Sequence, residues 1–187
     1  MGNRVSHLTN EDKELRKFNH FPSNDVREWA IHFRSRYPSN GMKARDIEEI
    51  FYSYFPEQKK DNQHIKKFSK QLFNTLNIGE SGCVDFNEVL IAFSILAKGS
   101  PFEKVRWIFR FYDTDKDGVV SKEELEESLS NIYKIAYPND TNSIIKDIIE
   151  KIFRKAEPGS EYLTFSDFEK LCYENDEDFK KISNFCV

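Results

Sequence analysis

Apolar residues recur three and four positions apart through most of this chain, and short polar stretches rich in Pro, Gly, Asn and Ser separate the runs. Phe102, Val105, Trp107, Ile108, Phe109 and Phe111 make one such run, with Lys104, Arg106 and Arg110 interleaved as a solvated face. Leu125, Leu129, Ile132 and Ile135 make another. The spacing predicts helices near residues 9–19, 24–35, 44–54, 62–75, 86–97, 102–112, 122–135, 143–156, 166–174 and 176–183. Breaks fall at Phe21-Pro22-Ser23-Asn24, Tyr37-Pro38-Ser39-Asn40-Gly41, Phe55-Pro56, Lys98-Gly99-Ser100-Pro101 and Tyr137-Pro138-Asn139-Asp140. The pattern is all-α. The break at Lys98 to Pro101 divides an N-terminal lobe, residues 1–97, from a C-terminal lobe, residues 98–187.

Between two of these helices, residues 113–124 read Asp-Thr-Asp-Lys-Asp-Gly-Val-Val-Ser-Lys-Glu-Glu. Asp113, Asp115 and Asp117 alternate, so their carboxylates can converge on one ion. Gly118 permits the sharp turn between them and the rest of the loop. Val119 would offer its backbone carbonyl, Ser121 its hydroxyl directly or through water, and Glu124 a bidentate carboxylate. A hard cation that takes six to eight oxygens in flexible geometry suits this set, and calcium is that cation. A solvated acidic turn would have to place all these residues at the same spacing by chance. Helix, twelve-residue oxygen loop, helix is the EF-hand unit.

Hands stabilise one another in pairs, and three degenerate copies appear. Residues 77–88 keep Gly82, Val84 and Glu88, but Asn77, Gly79 and Ser81 replace the early carboxylates, so calcium binding there should be weak or absent. Residues 35–46 align through Met42 and Ile47, with Ser35, Tyr37 and Pro38 in the loop and the short Asp46 at its end. Residues 156–167 align through Leu163, Phe165 and Phe168, with Ala156, Pro158 and Ser160 where carboxylates should stand and Glu161 in place of the turn glycine. The expected fold is four EF-hands in two paired lobes. Short antiparallel β ribbons should join Met42 with Val84 and Val120 with Leu163. One calcium per chain follows, in the third hand.

Composition narrows the function classes. A net charge of −4 and the lack of a basic stripe give no reason to expect nucleic acid. His7, His20, His32 and His64 are dispersed and no glycine loop cradles phosphate, so no enzyme is expected. Cys83, Cys172 and Cys186 are an odd count without metal-ligand spacing, which fits a reducing compartment. Asn139-Asp140-Thr141 is a formal sequon, read as a chance match. Met1-Gly2-Asn3-Arg4-Val5-Ser6 fits the N-myristoylation pattern at Gly2. A single acyl chain holds a membrane only reversibly. A cytoplasmic protein in reversible contact with membranes is expected.

The chain resembles the neuronal calcium sensor family, which includes recoverin, frequenin, the visinin-like proteins and the guanylate cyclase activators. The resemblance rests on Gly2, Val26-Arg27-Glu28-Trp29, the Pro38-containing first loop and Tyr54-Phe55-Pro56. It continues through residues 84–93, residues 98–107 and Ile132-Tyr133-Lys134. It implies a calcium–myristoyl switch and a hydrophobic groove that takes an amphipathic helix of a target protein. Trp29, Phe33, Phe51, Tyr52, Phe55, Phe86 and Phe93 fall where the groove would be lined, and each ring has lobe core as its alternative. The family usually keeps metal in the second and third hands and carries Cys-Pro in the first loop. This chain keeps only the third hand and has Tyr37-Pro38.

With 17 Phe and 2 Met, a groove built on stiff rings should favour a narrow target set. Two readings of the whole follow. One is a myristoylated calcium sensor that regulates a membrane-associated target. The other is a constitutive EF-hand subunit in which the ion is structural.

Overall fold

The computed structural model describes residues 21–39, 41–57, 62–137, 141–156, 159–174 and 176–183. The expected helix at 9–19 and the Gly2 site lie outside them. Among the described residues the chain forms nine helices and one two-stranded sheet. The helices are α1 Ser23–Arg36, α2 Ala44–Tyr54, α3 Gln63–Leu76, α4 Phe86–Lys98, α5 Pro101–Tyr112, α6 Lys122–Ala136, α7 Asn142–Ala156, α8 Phe165–Tyr173 and α9 Glu177–Ser183. Strands β1 Val119–Ser121 and β2 Tyr162–Thr164 join the third and fourth hands. The fold is all-α with an antiparallel ribbon, as expected.

Helix starts follow local chemistry. Pro101 fits the first turn of α5, where its missing N–H has no intrahelical duty, and the Ser100 hydroxyl accepts from Glu103 N. The Glu103 carboxylate returns to Ser100 N at 2.7 Å, which completes a capping box. Asp85 with Glu88, Ser121 with Glu124 and Thr164 with Asp167 repeat the device at α4, α6 and α8. The last residue of each of those three loops is therefore also the third residue of the helix that leaves it.

The paired loops differ in how much ribbon they form. In the C-terminal pair Val119, Val120 and Ser121 face Thr164, Leu163 and Tyr162, and both Val120 and Leu163 are fully buried. In the N-terminal pair the expected ribbon shrinks to one bridge, Met42 with Val84, closed by N–H···O bonds of 2.8 and 2.9 Å. Gly41 ends it. At φ +144° its backbone leaves the β region, and a Cβ there would sit 2.4 Å from the Val84 carbonyl oxygen.

The C-terminal core is continuous. Phe109 meets Phe165 and Phe168 edge-on, Phe168 meets Phe179 edge-on, and Leu125, Leu129, Ile152 and Leu171 fill around them. The Tyr112 hydroxyl, fully buried, donates to the Ile182 carbonyl at 2.7 Å and ties α9 to α5. Lys155 on α7 reaches Asp176 at 2.6 Å and Asp178 at 2.8 Å, which ties α9 from its other end. Together Lys155 and then Lys181 hold the Asp178 carboxyl well down, to about 2.

Helix α3 belongs to the second hand but packs against α6 of the third. Gln71 Nε2 donates to the Phe111 carbonyl and to Ser128 Oγ, each at 2.7 Å, and Lys67 meets Glu127 at 2.7 Å. His64 Nδ1 lies 2.9 Å from Asn131 Oδ1, and the Phe68 ring packs on Phe111 at 5.8 Å. The two hand pairs are thus joined along one helix.

Gly41→Ala should cost on the order of 1–3 kcal/mol in urea unfolding, because it adds both strain and a clash at the Met42–Val84 bridge. Lys155→Met should cost at most about 1 kcal/mol at neutral pH, since the lysine is partly solvated. The Asp178 carboxyl titrates lower in the folded chain than the ordinary value of about 3.9, so its share of stability is present above that value and lost as pH falls towards 2. The difference between wild type and Lys155→Met should therefore shrink from pH 4 to pH 2 in thermal melts.

Candidate metal centre

The loop at residues 113–124 begins where α5 ends and finishes in the first turn of α6. Its turns are made by Lys116 at φ 65° and Gly118 at φ 90°. Each aspartate bonds an amide further along the loop. Asp113 Oδ2 accepts from Gly118 N at 3.2 Å, Asp115 Oδ1 from Asp117 N at 3.1 Å, and Asp117 Oδ1 from Val119 N at 3.0 Å. These bonds turn the carboxylates inward. One oxygen from each of Asp113, Asp115 and Asp117 lies within 4.8 Å of the others.

Two groups in the loop carry shifted acidities. Burial pushes the Asp113 carboxyl up, and the nearby Glu124 and Asp117 charges add to it against the Gly118 and Lys116 amides. Burial would raise Glu124 too, but hydrogen bonds from Ser121 and Thr114 outweigh it and hold that carboxyl below its ordinary value. Glu124 Oε1 accepts from Thr114 N at 2.9 Å, Thr114 Oγ1 at 2.8 Å and Asp115 N at 3.3 Å. Its Oε2 accepts from Ser121 N and Ser121 Oγ, both at 2.9 Å.

Of the expected ligands, the structure brings the three aspartates together. Glu124 closes the loop by gripping its opening amides. Ser121 caps α6 and Val119 opens β1.

Asp113 Oδ1 is buried and has no hydrogen-bond partner. An orphaned carboxylate oxygen beside two further carboxylates is costly unless a cation completes it. The donor set is all oxygen and anionic, which fits calcium and not a soft metal.

The second loop has the same outline and the opposite chemistry. Asn77 stands where Asp113 does, and its Oδ1 is satisfied by Ser81 N at 3.2 Å and Ser81 Oγ at 3.5 Å. Glu88 Oε1 accepts from Gly79 N at 2.7 Å and its Oε2 from Asp85 N at 3.0 Å. The Lys43 ammonium, from the first loop, donates to the Gly82 carbonyl at 2.9 Å. This loop needs no ion to hold its shape. In the fourth loop Gly159 takes the left-handed turn at φ 87°, at the same loop position as Glu80 and Lys116. Glu161, at the position of the lost turn glycine, pairs with Lys122 at 3.1 Å.

The seven rings assigned to a groove lie on the N-terminal lobe, and none is buried. Trp29, Phe55 and Phe93 are exposed, at 43%, 39% and 61%, and Phe33, Phe51, Tyr52 and Phe86 are half-buried. Phe33 packs on Phe86 at 5.7 Å and Phe51 on Phe55 at 6.4 Å, while Tyr52 accepts a bond from Asn62 N. Phe51 also meets Phe68 of α3 at 4.9 Å. Sequence reading missed the residues that join this surface to the metal loop. Gln71, Ser128 and the Lys116–Glu80 pair, which links the turns of the second and third loops, lie too far apart in sequence for any periodicity to show them.

A family described as an EF-hand domain pair matches residues 102–173. Over 168 residues the chain is 29% identical to visinin of Gallus gallus, covering 84% of this chain and 85% of that protein. It is 26% identical over 149 residues to S-modulin of Aquarana catesbeiana, covering 79% and 71%. The chain is a homologue of the neuronal calcium sensors. A third relative, guanylyl cyclase inhibitory protein of Lithobates pipiens, is 29% identical over 112 residues, covering 60% of this homologue and 52% of the relative. The matched EF-hand pair contains the whole carboxylate loop, and an EF-hand domain implies calcium as the ion for such a loop.

Glu88→Ala and Glu124→Gln should separate the two loops. Glu88→Ala should leave calcium titrations unchanged while lowering stability by about 1–3 kcal/mol, because it strands the Gly79 and Asp85 amides. Glu124→Gln should weaken calcium by at least the ~10–100-fold that loss of an outer partner costs. Titration calorimetry and urea unfolding on both variants check the contrast.

Proposed function

We propose that this protein is a calcium sensor with one ion site, at Asp113, Asp115, Asp117, the Val119 carbonyl, Ser121 and Glu124. It regulates a membrane-associated target protein. The observation that carries the reading is the contrast between Asp113 Oδ1, buried without a partner, and Asn77 Oδ1, satisfied within its own loop. Bound calcium supplies two positive charges to a cluster that otherwise sets three carboxylates against one another.

For Glu124 to serve as a ligand, its carboxylate must leave the amides of Thr114 and Asp115 and the Ser121 hydroxyl. Glu124 is also the third residue of α6, so its movement carries the start of that helix. Glu127, Ser128 and Asn131 on the same helix hold α3, and Phe68 of α3 touches Phe51. This chain of contacts runs from the ion site to the exposed rings of the N-terminal lobe. Those rings suit the apolar side of an amphipathic target helix. One relative carries guanylyl cyclase in its name, so a cyclase is a first target to try. Gly2 would add a reversible lipid anchor, placing the protein in the cytoplasm and intermittently at membranes.

A second reading has its own support. Trp29, Phe55 and Phe93 are exposed while Glu124 still grips the loop amides, as a constitutive subunit with a structural ion would have them.

Titration calorimetry should give one strong calcium site per chain. Binding of an apolar-surface dye should change with calcium in the wild type and not in Glu124→Gln. Equal dye binding in all four conditions would establish the constitutive subunit instead.

A further inference from the structure

We propose that the cleft between α3 and the third hand is a binding site for a small soluble phosphomonoester, and that its affinity is coupled to the calcium loop. The cleft has a volume of about 370 Å³ and is walled by both lobes. Lys67, Lys70, Arg110 and Lys116 line it together with Asp113, Glu124 and Glu127. Lys67 is engaged with Glu127 and Lys116 with Glu80. Lys70 is exposed and enters no ion pair among the described residues.

Arg110 is the deciding residue. Its Nε donates to the Thr75 carbonyl at 3.0 Å, which holds the guanidinium in place. Its Nη2 is shut off from solvent and has no hydrogen-bond partner. A guanidinium stays charged, so this is an oriented cationic donor left unsatisfied in the wall of a cavity. Such a donor costs free energy until an acceptor meets it. A guanidinium held in place and an exposed lysine in the same lining suit a phosphate dianion better than a single carboxylate. The cleft is larger than inorganic phosphate fills, which leaves room for a small organic group against Phe111.

The coupling follows from charge. Asp113, Glu124 and Glu127 are the carboxylates of the cleft, and the first two are also assigned as calcium ligands. Glu127 is paired with Lys67, so neutralising Asp113 and Glu124 leaves Lys70 and Arg110 to make the lining net positive. Calcium should then tighten anion binding, and by linkage the anion should tighten calcium by the same factor. This coupling rests on the calcium reading of the loop at residues 113–124. The anion site itself does not.

The test is calorimetric titration of the full chain with glycerol phosphate and with inorganic phosphate, in chelator and in excess calcium. Saturable binding at one site in chelator, weakened at least about tenfold in both Lys70→Gln and Arg110→Gln, is the expected result. Circular dichroism confirms that each variant is folded, and Lys70→Gln, on the surface, carries the test if Arg110→Gln unfolds. Calcium should tighten the wild type by about fivefold or more. No saturable binding in chelator, or equal binding by folded Lys70→Gln, overturns the site. Phosphatidate vesicles that sediment the chain without competition from glycerol phosphate would overturn it in favour of a lipid headgroup. Equal anion affinity with and without calcium, in a chain that calorimetry shows to bind calcium, overturns the coupling alone. Failure of calcium itself to bind overturns the loop reading and leaves the chelator result to judge the anion site.

Discussion

Three carboxylates held within 4.8 Å of one another are the constraint to which the rest of this molecule answers. Like charges that close repel, and they stay together only where the chain around them has little freedom to relax. Two short turns at Lys116 and Gly118 wrap the loop, and the amides of Asp117, Gly118 and Val119 aim the side chains inward. The buried Val120–Leu163 pair fixes the loop from one side and the Ser121–Glu124 capping box from the other. The aromatic core around Phe109 and Phe168 keeps those anchors from moving apart. The repulsion is therefore stored in the loop, available to whichever cation relieves it.

The partner loops show what becomes of a hand when that constraint is lifted. In the second loop an amide replaces the first carboxylate and bonds its own neighbour, and Glu88 satisfies two further amides. Lysines from paired loops meet the rest, Lys43 at Gly82 and Lys122 at Glu161. Internal hydrogen bonds and ion pairs have taken over the ion's structural role. What these loops still provide is pairing, since an unpaired hand would expose Met42, Val84 or Leu163.

The seven groove rings of the N-terminal lobe lie at or near the surface, whereas the C-terminal lobe buries its central rings and exposes Phe102, Tyr137, Tyr162 and Tyr173. Phe168, Phe179 and Tyr112 are fully or almost fully buried, whereas Trp29, Phe55 and Phe93 are exposed. Helix α3 spans this difference, with Gln71 on the third hand at one end of its contacts and Phe68 against Phe51 at the other. A protein with one charged loop and one apolar surface needs such a bridge if the two are to communicate.

Much of this was legible in the chain before any coordinates. Helix positions followed from apolar spacing and from Pro, Ser and Asp at the starts, because both act within a turn or two of backbone. Asp113, Asp115, Asp117 and Gly118 stood out for the same reason: a metal loop is a local object whose ligands are neighbours in sequence. The pairing of Val120 with Leu163 was legible from alignment of the hands. The shortening of the other ribbon to one bridge was not, since it depends on the torsion of Gly41 beside Val84. Nor could sequence decide whether Phe33 or Phe93 is core or surface, because an amphipathic helix states that it has an apolar face and not what covers it. The orphaned oxygen of Asp113, the unpartnered Nη2 of Arg110 and the bridge through Gln71 belong to tertiary structure alone. Each is set by groups tens of residues apart, where chain folding decides which donors and acceptors meet.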